Sequence, residues 1–310
     1  MSPAASPRSL LAFSSVSFAY FAYAGIAGTY APLWFQSLGY STLAIGALVS
    51  VQSATRLFSP YAWGWLADHS GERVRLLRIA VACALASALG YFVSSAYGWI
   101  AIVTVALYVC TAGVVPISEA ALAHFVSSGG ALDLGRYGRV RVWGSIGFIV
   151  AVVGSGALLQ ALGVAAFPWL VLLLLAVLLI AALRLPTLAE APTAVEQPKG
   201  ALAVLREPVV AWFFTGVFFT VLAHTSLYAF FSLYLFSLGY SKTAVGFVWA
   251  VGVMAEVTWF WFQGRWFARI SPHGWLTVAA VATALRFPLI AVFGAVPWLL
   301  VLLQCTHALT

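Results

Sequence analysis

The stretch SLGYS occupies residues 37–41 and returns, letter for letter, at 237–241. The match extends outward. WFQSLGYSTLAIG (34–46) faces YLFSLGYSKTAVG (234–246) at a constant offset of 200, with Ala44/Ala244 and Gly46/Gly246 also identical and Ile45 facing Val245. A pentapeptide could recur by chance in so biased a composition, so its meaning depends on its setting. Each copy closes one long apolar run and, after a short turn, leads into another.

Those runs lie in a chain that is 63% hydrophobic and 7% charged, whereas a soluble domain carries about 25% charged residues. Such a chain has no surface to offer water. A crossing needs about 20 mainly apolar residues, and in hydrocarbon every backbone N–H and C=O must be paired inside the protein, so long apolar runs mean helices. Runs bounded by Gly, Pro or charge fall at 10–36, 43–66, 77–95, 98–126, 141–163 and 166–185, then at 209–237, 243–264, 275–294 and from 297 to the end. Arg8 ahead of the first run imitates a signal peptide, but the run reaches 36 and more follow, so it reads as a first transmembrane helix. Between the sixth and seventh runs, residues 183–208 are polar and hold Pro and Glu, as a linker does. Cys83, Cys110 and Cys305 show no paired spacing and read as packing residues.

Lys and Arg favour cytoplasmic loops. With the N-terminus inside, twelve fall in inner segments and only Lys242 in an outer one, while Arg56 and Arg286 are mid-span. The net charge of +7 is therefore an orientation signal, and nucleic-acid binding is unsupported. Both copies of SLGYS then sit at outer ends and mark the outer hinge of each half, and halves running in the same direction are the parallel repeats of some transporters. The chain divides into a six-helix half at 1–185, a cytoplasmic central loop at 186–208, and an incomplete second half at 209–310 holding helices seven to nine and part of ten. Six plus six helices predict about 400 residues against 310, so the last two and a half spans are expected to be missing.

At the junction of spans two and three, GWLADHSGER (64–73) supplies Gly64, Asp68, Gly71 and Arg73. With YGRVRVWGSIGF (137–148), 239–257 and 285–308, it resembles the major facilitator superfamily, and within it the phenylpropionate permease-like branch of proton symporters. The resemblance implies an all-α integral membrane fold of two pseudo-symmetric six-helix halves, here about nine and a half helices, and Gly64, Asp68, Gly71 and Arg73 as a gating loop, in which His69 and Glu72 depart from the pattern. It also implies a multi-pass protein of the bacterial inner membrane. The lactose permease family is similar at further points: Pro116 and Glu119 match its Pro-x-x-Glu, and Arg141, Glu256, Arg286 and His307 match its charged positions. Where that family has an acid three residues beyond the His, this chain has Thr310.

Charges at mid-membrane cost at least about 2.5–3.5 kcal/mol each on insertion scales, so they persist where they pair or face a water-filled cavity. Glu119, roughly 10 Å inside span four at 1.5 Å per residue, and Glu256, near the middle of span eight, are the two carboxylates that qualify. A Glu beside an Arg binds and releases a proton as its partner moves, so Glu256 and Glu119 are candidate proton-coupling groups, with His307 as a relay. The plainer alternative is a static ion pair that fixes packing. Arg286, with its planar fork, is a candidate for a solute carboxylate or a partner for Glu256. Arg141 sits at a span edge, where an orientation charge is the competing reading. Arg56 lies opposite Glu256 in the repeat, which suggests a polar cavity between the halves. His224, Tyr23 and Tyr228 complete the candidate substrate-binding set, with Tyr20, Tyr30 and Trp34 as further cavity residues; packing is the alternative for each.

The expected protein is a monomeric, proton-coupled secondary transporter of a small organic solute, such as an aromatic carboxylate, working in a lipid bilayer without a cofactor or metal. Sugar or nucleoside symport and drug efflux stay open. A polytopic enzyme would need a polar catalytic cluster that the sequence lacks. A receptor or scaffold would not need mid-membrane carboxylates or a twofold repeat.

Overall fold

A computed structural model describes residues 7–128, 131–187, 204, 206–262 and 269–310. Most of the 186–208 linker, including Lys199, lies outside the described residues, as do Gly264 and Arg265. The helices are α1 (Pro7–Ser37), α2 (Thr42–Ser70), α3 (Arg73–Leu89), α4 (Tyr97–Thr111), α5 (Val114–Val126), α6 (Leu134–Leu162), α7 (Phe167–Leu183), α8 (Pro208–Ser237), α9 (Lys242–Phe262), α10 (Pro272–Phe293) and α11 (Pro297–Cys305). Among the described residues, the strand structure is a two-residue antiparallel ladder, Ser127–Ser128 with Ala131–Leu132. Eight spans of the described residues are long and apolar enough to cross a membrane, with α4 and α5 counting as one. The protein is a multi-pass membrane protein.

Both copies of SLGYS form the same turn. Gly39 and Gly239 take φ +84° and +88°, left-handed values that favour glycine at a helix C-terminus. Tyr40 N–H donates to the Phe35 carbonyl and Gly39 N–H to that of Gln36; Tyr240 and Gly239 repeat both bonds with Leu235 and Phe236. The serine then caps the following helix, Ser41 Oγ accepting from Ala44 N–H and Ser241 Oγ from Ala244 N–H. The tyrosine hydroxyls tie down the next turn of each half, Tyr40 donating to the Ser95 carbonyl at 2.6 Å and Tyr240 to that of Gly294 at 2.9 Å. Burial pushes both phenols up, each helped by a neighbouring tyrosine, so they stay protonated and donate.

Span four is two helices rather than the single helix expected over 98–126. Pro116 has no N–H for the Ala112 carbonyl and crowds it, and the Trp63 indole takes the Val109 carbonyl at 2.8 Å. The chain breaks at Ala112–Gly113, where a Cβ on Gly113 would strike the Trp63 ring. Helix α2, by contrast, runs unbroken past Gly64 to Ser70 but is not among the eight apolar spans. Its polar residues Gln52, Ser53 and Arg56 line an internal cavity. Of the cysteines expected to be packing residues, Cys110 is partly buried against the core, whereas Cys83 and Cys305 are exposed.

Close helix approaches rest on small residues. Gly147 of α6 lies against the Phe18 backbone of α1, leaving no room for a side chain. Between the halves, Gly246 of α9 meets the Tyr30 hydroxyl and the Val152 carbonyl, while Gly46 of α2 would place a Cβ 3.0 Å from the Phe230 ring. Tyr30 and Phe230 are themselves 200 apart in sequence, so the two crossings are repeat-related. Both lie near the end of the bundle that bears Gly39 and Gly239, called here the repeat end. Tyr30 also donates to the Val152 and Lys242 carbonyls at 2.7 and 3.1 Å. Toward the other end the first half of α8 and the second half of α2 are largely exposed.

At that other end Arg78 of α3 donates to the carbonyls of Ala182, Leu183 and Leu185. A cation there satisfies the last carbonyls of α7 and complements its dipole. Arg78→Ala should lower stability by about 1–2 kcal/mol, read as a lower Tm of the detergent-solubilised chain, with Arg78→Lys losing less.

Candidate functional site

Three helices converge on Arg286. Its position on α10, 2% exposed, places the guanidinium against the 3-10 turn Thr306–Leu309 that continues α11. One terminal nitrogen donates to His307 Nδ1 at 2.8 Å and Thr310 Oγ1 at 3.0 Å, and the other to Gln304 Oε1. Gln304 in turn donates to the Val248 carbonyl of α9 at 3.3 Å. Because Arg286 can only donate, His307 Nδ1 must accept, so the ring is neutral and carries its proton on Nε2. That nitrogen lies 3.0 Å from Glu256 Oε1 and donates to it. The expected Glu256–Arg286 contact is thus bridged by an imidazole. Gly252 lets the His307 ring sit against α9, where an added Cβ would be 3.1 Å from it.

Across the bundle, Arg141 of α6 lies 3.4 Å from Glu119 of α5 and 4.3 Å above the Phe21 ring of α1. Helix α6 begins at Leu134, where Asp133 Oδ1 accepts from Arg136 N–H, so Arg141 lies two turns inside the helix. Arg56 is exposed and, among the described residues, makes no hydrogen bond or ion pair with a protein group.

Between these walls lies a cavity of about 660 Å³, the size of a small-molecule site. It collects Arg56, Arg141, His224, Tyr228, Glu256, Arg286 and His307 from six separate parts of the sequence, His224 and Tyr228 sharing α8. Tyr228 is stacked on Trp249 at 5.8 Å and 14°, and Trp249 donates to Ser232 at 3.0 Å. His224 Nδ1 donates to the Thr220 carbonyl at 2.8 Å, leaving a buried Nε2 without a protein partner among the described residues.

Not every candidate reaches the cavity. Tyr23 is buried and is not among the residues that line it. Tyr30 belongs to the crossing described above, and Trp34 packs against Tyr91 and Phe167. Glu119 and Tyr20 line instead a separate space of about 20 Å³ that shares Phe21 and Arg141 with the main cavity, room for one water. The loop at 64–73 lies apart from both: Asp68 pairs with Arg73 at 2.9 Å, Gly71 caps α2 at φ +66°, and Gly64 meets nothing within 4 Å. Gln304, Trp249 and Tyr108 line the cavity but were not singled out from sequence. Gln304 alone gave a signal, as an amide inside an apolar run.

A bundle of long membrane-crossing helices in repeat-related halves, with a polar, charged cavity between them, defines a secondary transporter of the major facilitator type. The sequence model of the MFS_1-like family matches residues 10–310, and the chain belongs to that family. Among curated proteins it is 28% identical over 303 residues to a probable 3-phenylpropionic acid transporter of Escherichia coli (strain K12), covering 94% of this chain and 76% of that one. It is 29% identical over 253 residues to a maltose permease of Geobacillus stearothermophilus, covering 80% of this chain and 62% of the permease. Among solved structures, the nucleoside transporter NupG superposes with a TM-score of 0.79 at 18% identity, over 97% of this chain and 78% of that one. A peptide transporter, POT, superposes at 0.66 and 13% identity, over 98% and 79%.

Proposed function

We propose that this chain forms the solute pathway of a proton-coupled symporter for a small organic carboxylate, with an aromatic acid such as 3-phenylpropionate as the favoured class. The observation that carries the reading is the charge of the cavity walls. Among the described residues, three guanidiniums (Arg56, Arg141, Arg286) and one carboxylate (Glu256) line the main cavity, and Glu119 in the adjoining space pairs with Arg141, which leaves an excess of one positive charge. An anionic solute neutralises it. The stacked Tyr228–Trp249 pair offers an apolar face for a ring, and the E. coli relative at 28% identity is named for such an acid.

In this reading Glu256, hydrogen-bonded by His307, is the proton acceptor, and Glu119 beside Arg141 is the second. Residues 1–185 and 209–310 form the two halves, joined by 186–208, and move as alternating-access gates in a monomer. The N-terminus is cytoplasmic and the repeat end faces out, so the crossings at Gly46 and Gly246 close the outer side. The 64–73 loop works at the inner side, in the inner membrane, and no enzymatic step is involved.

The test is uptake. Proteoliposomes holding the chain should accumulate labelled 3-phenylpropionate when the lumen is alkaline, and a protonophore should abolish the accumulation. No uptake, or uptake indifferent to the gradient, would sink the reading. A sugar is the second reading, favoured by the maltose permease relative and by the uncharged polar wall residues Gln52, Ser53, Ser145 and Thr225. Competition by maltose, absent with phenylpropionate, would select it.

A further inference from the structure

Of the three arginines on the cavity, we infer that Arg56 is the one that holds the solute's carboxylate, an inference that rests on the carboxylate reading above. A guanidinium binds a carboxylate through two parallel N–H donors on one edge, and those donors must be free. Arg286 does not expose them. Its terminal nitrogens are engaged by His307, Thr310 and Gln304, its Nε is buried without a partner among the described residues, and the residue is 2% exposed. A solute would have to open the packing around it to reach the donors that are left. Arg141 points its Nε at Glu119 and lies over the Phe21 ring, so a solute there competes with a carboxylate already in place.

Arg56 is exposed to the cavity with no protein partner among the described residues. It sits one turn beyond Gln52 and Ser53 on the same face of α2, all three on the cavity wall, so amide and hydroxyl groups flank the guanidinium. Tyr108 of α4 and Tyr228 of α8, both on the wall, lie within reach of its charge. Tyr228 is also the ring stacked on Trp249. A carboxylate on Arg56 therefore leaves an attached aromatic ring beside that stack, and the ligand spans α2 and α8, one helix from each half.

The experiment compares 3-phenylpropionate with its uncharged analogue 3-phenylpropionamide, binding to the detergent-solubilised chain being read by tryptophan fluorescence. The unaltered chain should prefer the acid by at least about tenfold, a ratio equivalent to 1.4 kcal/mol. Arg56→Gln should erase the preference while leaving amide affinity unchanged, which also shows that the variant is folded. Should Arg56→Gln not fold, Arg56→Lys makes the same comparison: charge without the fork reduces the preference several-fold. A preference that survives at Arg56 overturns the inference and leaves the carboxylate reading standing. An unaltered chain that does not distinguish acid from amide overturns both.

Discussion

Glu256→Gln should uncouple the protein: solute-driven alkalinisation of the medium falls at least about tenfold, while the chain stays in the membrane and still exchanges solute for solute. The substitution is chosen because it keeps the geometry. His307 donates Nε2–H to Glu256 Oε1 at 3.0 Å, and the Gln carbonyl oxygen accepts the same bond. What is lost is a titratable carboxyl group. Removing His307 instead would strip Arg286 of an acceptor and disturb packing and chemistry together. Simultaneous records of external pH and labelled solute decide the matter, and unchanged proton uptake in Glu256→Gln would remove this residue from the mechanism.

A tryptophan at position 246 should force the halves apart at the repeat end. Gly246 lies against the Tyr30 hydroxyl and the Val152 carbonyl. A backbone carbonyl inside α6 cannot rotate away, so a side chain larger than hydrogen is accommodated only by separating α9 from α6 and α1. The repeat-related Gly46 is more tolerant, because its neighbour is the Phe230 ring, which can swing. The expected result is a several-fold rise in maleimide labelling of a cysteine placed at Ser155, 5% exposed at present, in a background without the native cysteines. Gly246→Trp should show the larger rise and Gly46→Trp the smaller. Equal or absent effects would mean that these crossings do not close the repeat end.

The SLGYS repeat was legible because most of its geometry is local: a left-handed glycine and a serine cap need only a few consecutive residues, whereas the partners of Tyr40 and Tyr240, 55 and 54 residues further on, were not. The helices were legible because hydrocarbon leaves the backbone no alternative. The break in span four was written in Pro116 and Gly113, but apolar length masked it. The site was legible as a set of costly charges and not as a network. Nothing in spacing says that His307 would stand between Glu256 and Arg286, or that Arg286 would spend its donors on Gln304 and Thr310, since those contacts join three helices. Tyr23 and Trp34 lay beyond reach for the same reason: helical periodicity cannot say whether an aromatic faces a cavity or a neighbouring helix.

The hydrogen bonds around Arg286 have a mechanical consequence. They lace α9, α10 and α11 together through Val248, Glu256, Gln304 and His307, whereas Arg56 leaves the facing stretch of α2 untied. The cavity therefore has one stiff wall and one compliant wall. Amide hydrogen exchange should be slow along α9–α11 and faster around Arg56, and a solute arriving at Arg56 would stiffen the compliant side first.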